Sequence, residues 1–216
     1  MDQYSIVLLG IIAVNVLVSF KGFEDISFFR KYEFHIGSIR AGEQFRMITS
    51  GFLHADVMHL GFNMLTLYFF APIVIALLGS FSFLLIYFAS LVFGSLLTLY
   101  FHKNDYSYRA IGASGAVTGI LYAAILLDPK LEVGMFFIPY GIPGYLFGII
   151  YLLYSIYGMK SKKDNIGHTA HFGGAIGGYL LTLAKSPNLF TDNLNTVLIL
   201  AIPIVILFVM EKMGKL

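Results

Sequence analysis

The chain has 216 residues, of which 58% are hydrophobic and only 12% charged, with a mean hydropathy of +0.81; a soluble domain is nearer a quarter charged. Net charge is +2 from 14 basic and 12 acidic residues, with no basic run able to track a phosphate backbone, so nucleic acid is not an expected partner. Cysteine is absent, which removes disulfides, thiolate nucleophiles and cysteine metal sites.

Long apolar runs recur along the whole chain and imply a polytopic membrane protein with the lipid bilayer as its solvent. Helices are the expected elements, because an open sheet edge in lipid leaves backbone groups unpaired. The fold class is therefore all-α: a transmembrane helical bundle forming a single membrane domain over 1–216. The opening Met-Asp-Gln-Tyr-Ser has no basic n-region, so the first run reads as a spanning helix and not as a signal peptide.

In chain order, spans are predicted at 5–20, 57–78, 81–101, 113–127, 144–158, 168–184 and 194–211. The connection 21–56 mixes charges with Phe28, Phe29, Tyr32, Phe34 and Phe45, the composition of a loop lying in the membrane interface. The connection 128–143 carries Pro129, Pro139 and Pro143 with Gly134 and Gly141 and reads as a turn-rich loop. No repeat of the transporter kind is evident.

Counting crossings puts the starts of the second, fourth and sixth spans on one membrane face. The polar residues His54, His59, Asn63, Ser114, His168 and His171 all lie at those starts. Ser114 stands in Gly112-Ala113-Ser114-Gly115, where small neighbours leave its hydroxyl accessible and first-turn N–H groups are available to an oxyanion. A plainer reading makes it an N-cap beside a Gly115/Gly119 packing face. His171 lies on one stripe with Gly174 and Gly178, which permits close approach to a neighbouring helix; if that neighbour is the fourth span, the imidazole comes within reach of Ser114 as a general base. The alternative is a structural histidine bonded to a carbonyl. His59 and Asn63 are one helical turn apart and share a face suited to holding an oxyanion; otherwise they pin the second span to its neighbours, the reading slightly preferred for His54. His168 either orients the site or holds water. Metal binding by the histidines lacks the His-Glu-x-x-His spacing, so neither metal nor cofactor is expected.

These motifs, Phe45-Arg46, His54 with His59 and Asn63, Gly112-x-Ser114-Gly115, and Ala170-His171-x-x-Gly174-x-x-x-Gly178, resemble in kind and order those of the rhomboid intramembrane serine proteases, over roughly residues 40–184. The resemblance implies a six-helix core at about 5–184 with a seventh transmembrane helix at about 194–211. It implies a Ser114–His171 dyad, oxyanion support from His59, Asn63, the Ser114 N–H and the Gly112 segment, and His54 as a helper of the first loop or of water supply. It implies Gly115, Gly119, Gly174 and Gly178 as helix-packing positions and transmembrane protein segments as substrates. The fifth span and a capping loop at about 158–167 are implied to move as substrate enters. Some bacterial members carry an aromatic residue one turn after the serine, stacked on the histidine; here that position is Thr118, so another residue must restrain His171.

The expected location is a bacterial inner membrane, with the active site on the extracytoplasmic side. That orientation leaves only Lys130 and Lys185 on the cytoplasmic face, against the positive-inside tendency. Two other functions fit parts of the pattern: a catalytically silent relative that binds membrane helices, and a histidine-dependent transporter. The presence of both Ser114 and His171 weighs against the first. The crowding of polar residues at one face weighs against the second.

Overall fold

The computed structural model describes residues 3–135, 138–161 and 166–216. Helix α1 (Gln3–Glu24) leads into α2 (Ile26–Tyr32), strand β1 (Phe34–His35), α3 (Ile36–Arg40), α4 (Arg46–Thr49) and a 3-10 turn at Ser50–Phe52. Helix α5 (Val57–Phe101) precedes β2 (Arg109–Ala110), α6 (Ser114–Leu127), β3 (Glu132–Met135) and β4 (Ile138–Pro143). The chain closes with α7 (Gly144–Ser161), α8 (His168–Lys185), α9 (Leu189–Asp192) and α10 (Leu194–Lys212).

The structure is an all-α polytopic bundle. Helix α5 contains two predicted spans joined through Gly79, whose φ of 82° and ψ of 163° break the helix; a positive φ is cheap only for glycine. We refer to its limbs before and after that break. Among the described residues, helices α1, α5 and α10 have the length and apolarity to cross a membrane, and α5 has 45 residues.

Helix α6 sits at the centre, with every residue from Gly115 to Leu126 buried. A helix apolar on all sides suits either lipid or the core of a bundle, and its burial places α6 in the core. Its 14 residues span roughly 21 Å at 1.5 Å per residue, less than the roughly 30 Å of a hydrocarbon core. Its two ends therefore cannot both reach the membrane surfaces.

Two glycine seams hold α8 in place. A side chain at Gly174 or Gly178 would run into the carbonyls of Gly115 or Gly119 on α6. One at Gly173 or Gly177 would run into Phe93 and Ser90 on the second limb of α5. Without side chains the backbones touch, and dispersion between them replaces the hydrophobic drive that lipid cannot supply. Helix α1 is fixed by Asn15, whose amide donates to Tyr87 Oη at 3.2 Å and to Ile11 O at 2.9 Å inside the bundle.

Two predicted connections are more ordered than their composition implies. Residues 21–56 form short helices with a small core of Phe34, Ile36 and Ile39 against Leu99 and Tyr108. Buried Arg46 donates from Nη1 to Arg30 O at 2.7 Å and Glu33 O at 3.1 Å, and from Nε to Glu43 at 2.5 Å. Glu33 is also buried; its carboxylate receives Arg30 Nη1 at 3.2 Å and Arg109 Nη1. Strand β1 pairs antiparallel with β2, setting Phe34 opposite Ala110 and His35 opposite Arg109. The 128–143 connection is not wholly irregular: β3 pairs antiparallel with β4 from Glu132–Pro143 to Met135–Ile138. Helix α7 continues to Ser161, and residues 162–165 of the expected capping loop lie outside the described residues.

Candidate active site

The starts of α5, α6 and α8 meet. Gly112 joins the first two: its φ is 118°, and a side chain there would lie 2.8 Å from His59 Cε1, 3.0 Å from His59 Nε2 and 3.7 Å from Ser114 Oγ. Gly112 thus packs too closely on the His59 imidazole to carry a side chain, with the Ser114 hydroxyl alongside. Gly112 N–H donates to Ser50 O at 3.0 Å, which fixes the peptide in this unusual conformation.

Ser114 is the first residue of α6 and half-buried. Its N–H and the next two have no acceptor within the helix, as at any helix start. The adjacent Gly115 packs on Ala170 so closely that a methyl group at Gly115 would lie 3.1 Å from the Ala170 carbonyl oxygen. His171 directly follows Ala170 and is buried at 8% exposure. Ser114 and His171 therefore belong to facing first turns of two helices in backbone contact.

His59 is positioned through its backbone and one ring nitrogen. Asp56 caps α5 by accepting from His59 N–H at 2.8 Å, and His59 Nδ1 accepts from Ala55 N–H at 3.4 Å. In the neutral ring this leaves the proton on Nε2, which lies beside Gly112. Asn63 follows one turn later, buried, with its amide donating to His59 O at 2.9 Å. That bond uses one of its two N–H groups.

His54 lies between the 3-10 turn and α5, fully buried. Its Nε2 accepts from Ala113 N–H at 3.4 Å, so the proton sits on Nδ1, 2.8 Å from Ser19 Oγ. Ser19 in turn donates to Phe52 O at 2.9 Å. The chain of bonds closes only when His54 is neutral. Burial pushes its pKa down to about 3, with His59 adding to the shift and Asp56 opposing it. His54 and His59 stand edge to face with ring centroids 4.9 Å apart.

His171 is held from an unexpected direction. Tyr151 of α7 stacks on it, with centroids 5.6 Å apart and planes inclined by 25°. Tyr151 Oη is 3.3 Å from Thr118 Oγ1, and Thr118 donates to the Ser114 carbonyl at 2.7 Å. His168 packs elsewhere: its ring fills the place of a side chain at Gly158, stands edge-on to Tyr154 at 5.4 Å, and lies 6.1 Å from the His171 ring.

A small cavity of about 30 Å³ opens beside Ser114, bordered by Ser50, Ser95, Thr98, Gly112 and Gly167. Its volume is of the order of one water molecule and its lining offers several hydroxyls.

Residues 41–188 match the family model for the rhomboid domain. The chain belongs to the rhomboid family. It is an integral membrane protein, consistent with its apolar helices. Among relatives, this rhomboid is 33% identical over 174 residues to the rhomboid protease GluP of Bacillus subtilis (strain 168), covering 79% of this chain and 32% of GluP. It is 34% identical over 143 residues to the putative rhomboid protease YdcA of the same organism, covering 65% of this chain and 67% of YdcA. It is 29% identical over 187 residues to the mitochondrial RHOMBOID-like protein 12 of Arabidopsis thaliana, covering 78% of this chain and 55% of that protein. The chain thus spans about half of the Arabidopsis relative and about a third of GluP.

Three parts of this neighbourhood lie outside the sequence reading. Tyr151, Ser19 and the Glu33–Arg109 pair belong to no motif and stand far in sequence from the residues they serve. The one available signal was indirect: position 118, aromatic in some family members, is a threonine here.

Proposed function

We propose that this rhomboid is an intramembrane serine endopeptidase that cuts transmembrane segments of other membrane proteins with Ser114 as nucleophile and His171 as base. The observation that carries this reading is the meeting of two helix starts at the Gly115–Ala170 contact, with Gly112 packed against His59 and beside Ser114 on the other side.

In this mechanism a substrate helix unwinds locally and presents a carbonyl to Ser114 Oγ. His171 takes the hydroxyl proton as the C–O bond forms. The oxyanion is held by the Ser114 N–H, by His59 Nε2–H and by the second N–H of Asn63, donors fixed before charge develops. A side chain at Gly112 would press on His59 and disturb this donor. Collapse of the tetrahedral intermediate breaks the C–N bond, and His171 returns its proton to the departing amine. Water, deprotonated by His171, then adds to the acyl-enzyme, and Ser114 leaves with its proton restored. The cavity lined by Ser50, Ser95 and Thr98 is a suitable holding place for that water. In this scheme His54 acts by holding Ala113 and Ser19, not by touching substrate.

The six-helix core at about 5–184 is the proposed catalytic unit, with the helix at 194–211 an addition to it. We place the site on the extracytoplasmic face of a bacterial inner membrane. Reporter fusions after residues 105 and 188 test that placement; a cytoplasmic signal at 105 reverses it.

The deciding experiment is cleavage of a transmembrane reporter in liposomes by the wild type, Ser114→Ala and His171→Ala. Cleavage abolished by both substitutions is expected. Cleavage surviving both removes the dyad, and no cleavage by the wild type over several reporters favours a helix-binding relative without catalysis.

A further inference from the structure

We infer that Tyr151 is the positioning residue for His171, so that the orientation of the proposed base depends on the placement of α7. The inference rests on the reading of His171 as the base.

Tyr151 is linked to both members of the proposed dyad, to His171 directly and to Ser114 through Thr118. Its ring face lies along the imidazole, 5.6 Å between centroids and 25° between planes. Its hydroxyl donates to Thr118 Oγ1 at 3.3 Å, because the Thr118 proton is already committed to the Ser114 carbonyl at 2.7 Å. One side chain therefore sets the imidazole plane and is itself registered against the first turn of α6. Thr118 is too short to reach His171 as an aromatic ring would, and it serves as an anchor for the residue that does.

The ring is carried by a peripheral helix. Ile150, Leu153, Tyr154 and Tyr157 of α7 point outward, at 41–61% exposure, whereas α6 is buried along its length. Helix α7 is seated at Gly148, against Leu200 of α10 and Ile125 of α6, with the Gly148 carbonyl receiving Tyr122 Oη at 2.8 Å. It is seated again at Gly158, under the ring of His168. Tyr151 lies between these seats, so a tilt of α7 about either one withdraws the ring from His171. A helix entering beside α7 therefore alters the restraint on the imidazole as it arrives. A misplacement of order 1 Å at a reacting group costs on the order of a hundredfold in rate.

The test uses the full chain in detergent micelles with ring-labelled histidine, the His171 signals being identified by their loss in His171→Gln. Tyr151→Leu removes the ring, Tyr151→Phe removes only the hydroxyl, and Leu152→Ala opens a cavity on α7 at a fully buried neighbour. Thr118→Tyr combined with Tyr151→Leu moves the ring onto α6. Turnover of a fluorogenic transmembrane peptide is measured in parallel. Tyr151→Leu is expected to abolish the ring-current shift of His171 and to lower kcat about ten- to a hundredfold with little change in KM. Tyr151→Phe should keep the shift, and the paired substitution should restore both shift and kcat. A His171 signal that ignores Tyr151→Leu, or a loss of kcat in Leu152→Ala as large as in Tyr151→Leu, overturns the proposal. A shift that follows Tyr151 while the wild type turns over no peptide refutes the base assignment instead, and with it the catalytic purpose of the contact.

Discussion

His54 Nδ1 lies 2.8 Å from Ser19 Oγ, which ties α1 to the peptide entering α6, because the other ring nitrogen receives Ala113 N–H. The bond from Ala113 requires the neutral imidazole, because a protonated Nε2 cannot accept. Its pKa falls from 6.5 to about 3 on folding. Between those values the unfolded chain binds more protons than the folded one, so stability rises with pH across that window. Thermal unfolding in detergent should therefore show a Tm that drops as pH is lowered below about 6.5. The slope should flatten in His54→Gln. An equal slope in both proteins would show that other groups govern the acid sensitivity.

Gly112→Ala tests the close packing of this peptide on His59. The φ of 118° disfavours any side chain, and the new methyl would press on the imidazole. A loss of about 1–3 kcal/mol in stability is expected from the backbone alone. Turnover should fall further than Ser50→Ala lowers it, since that change only removes a side chain beside the Gly112 anchor. A Gly112→Ala protein as stable and active as wild type would mean that this peptide relaxes freely.

The glycine seam gives a prediction with an internal control. Gly178→Ala puts a methyl against the Gly119 carbonyl, whereas Gly61→Ala on the first limb of α5 meets nothing within 4 Å. The first should destabilise the protein in chemical unfolding. The second should be neutral or stabilise by roughly 0.5–1 kcal/mol, the gain of alanine over glycine in a helix. Equal effects at both positions would argue that α6 and α8 do not depend on backbone contact.

Glu33 and Arg109 join the first loop to the strand leading into α6. The carboxylate is 3% exposed and the guanidinium 42%, so removing one partner leaves a buried charge or a polar group incompletely satisfied. Glu33→Gln and Arg109→Gln should each destabilise, and the double variant should lose less than their sum, with a coupling of about 1 kcal/mol. Strictly additive losses would indicate that the β1–β2 pairing alone holds the segment.

The segments of the bundle were legible because lipid imposes a length and an apolarity that survive any arrangement of helices. All seven predicted spans correspond to helical stretches, although those at 57–78 and 81–101 are limbs of one helix bent at Gly79. The pairing of β3 with β4 was not legible. The segment's proline and glycine content matched a loop, and strand pairing depends on a partner that composition does not identify. The buried Arg46 and Glu33 were equally hidden, since charges in an interfacial loop are expected to face water until a carbonyl or guanidinium is brought to them.

The sequence by itself determined that this is a polytopic helical membrane protein of the rhomboid family, that its polar residues begin the second, fourth and sixth spans, and which residues share a helix face. Those properties follow from composition, order and the 3.6-residue repeat, which are local. Only the tertiary structure decided that Tyr151 stacks on His171, that His54 reaches Ser19 and Ala113, and that Glu33 meets Arg109. Each joins residues far apart in the chain, and such contacts are fixed by how helices cross and rotate. No spacing along one helix encodes that.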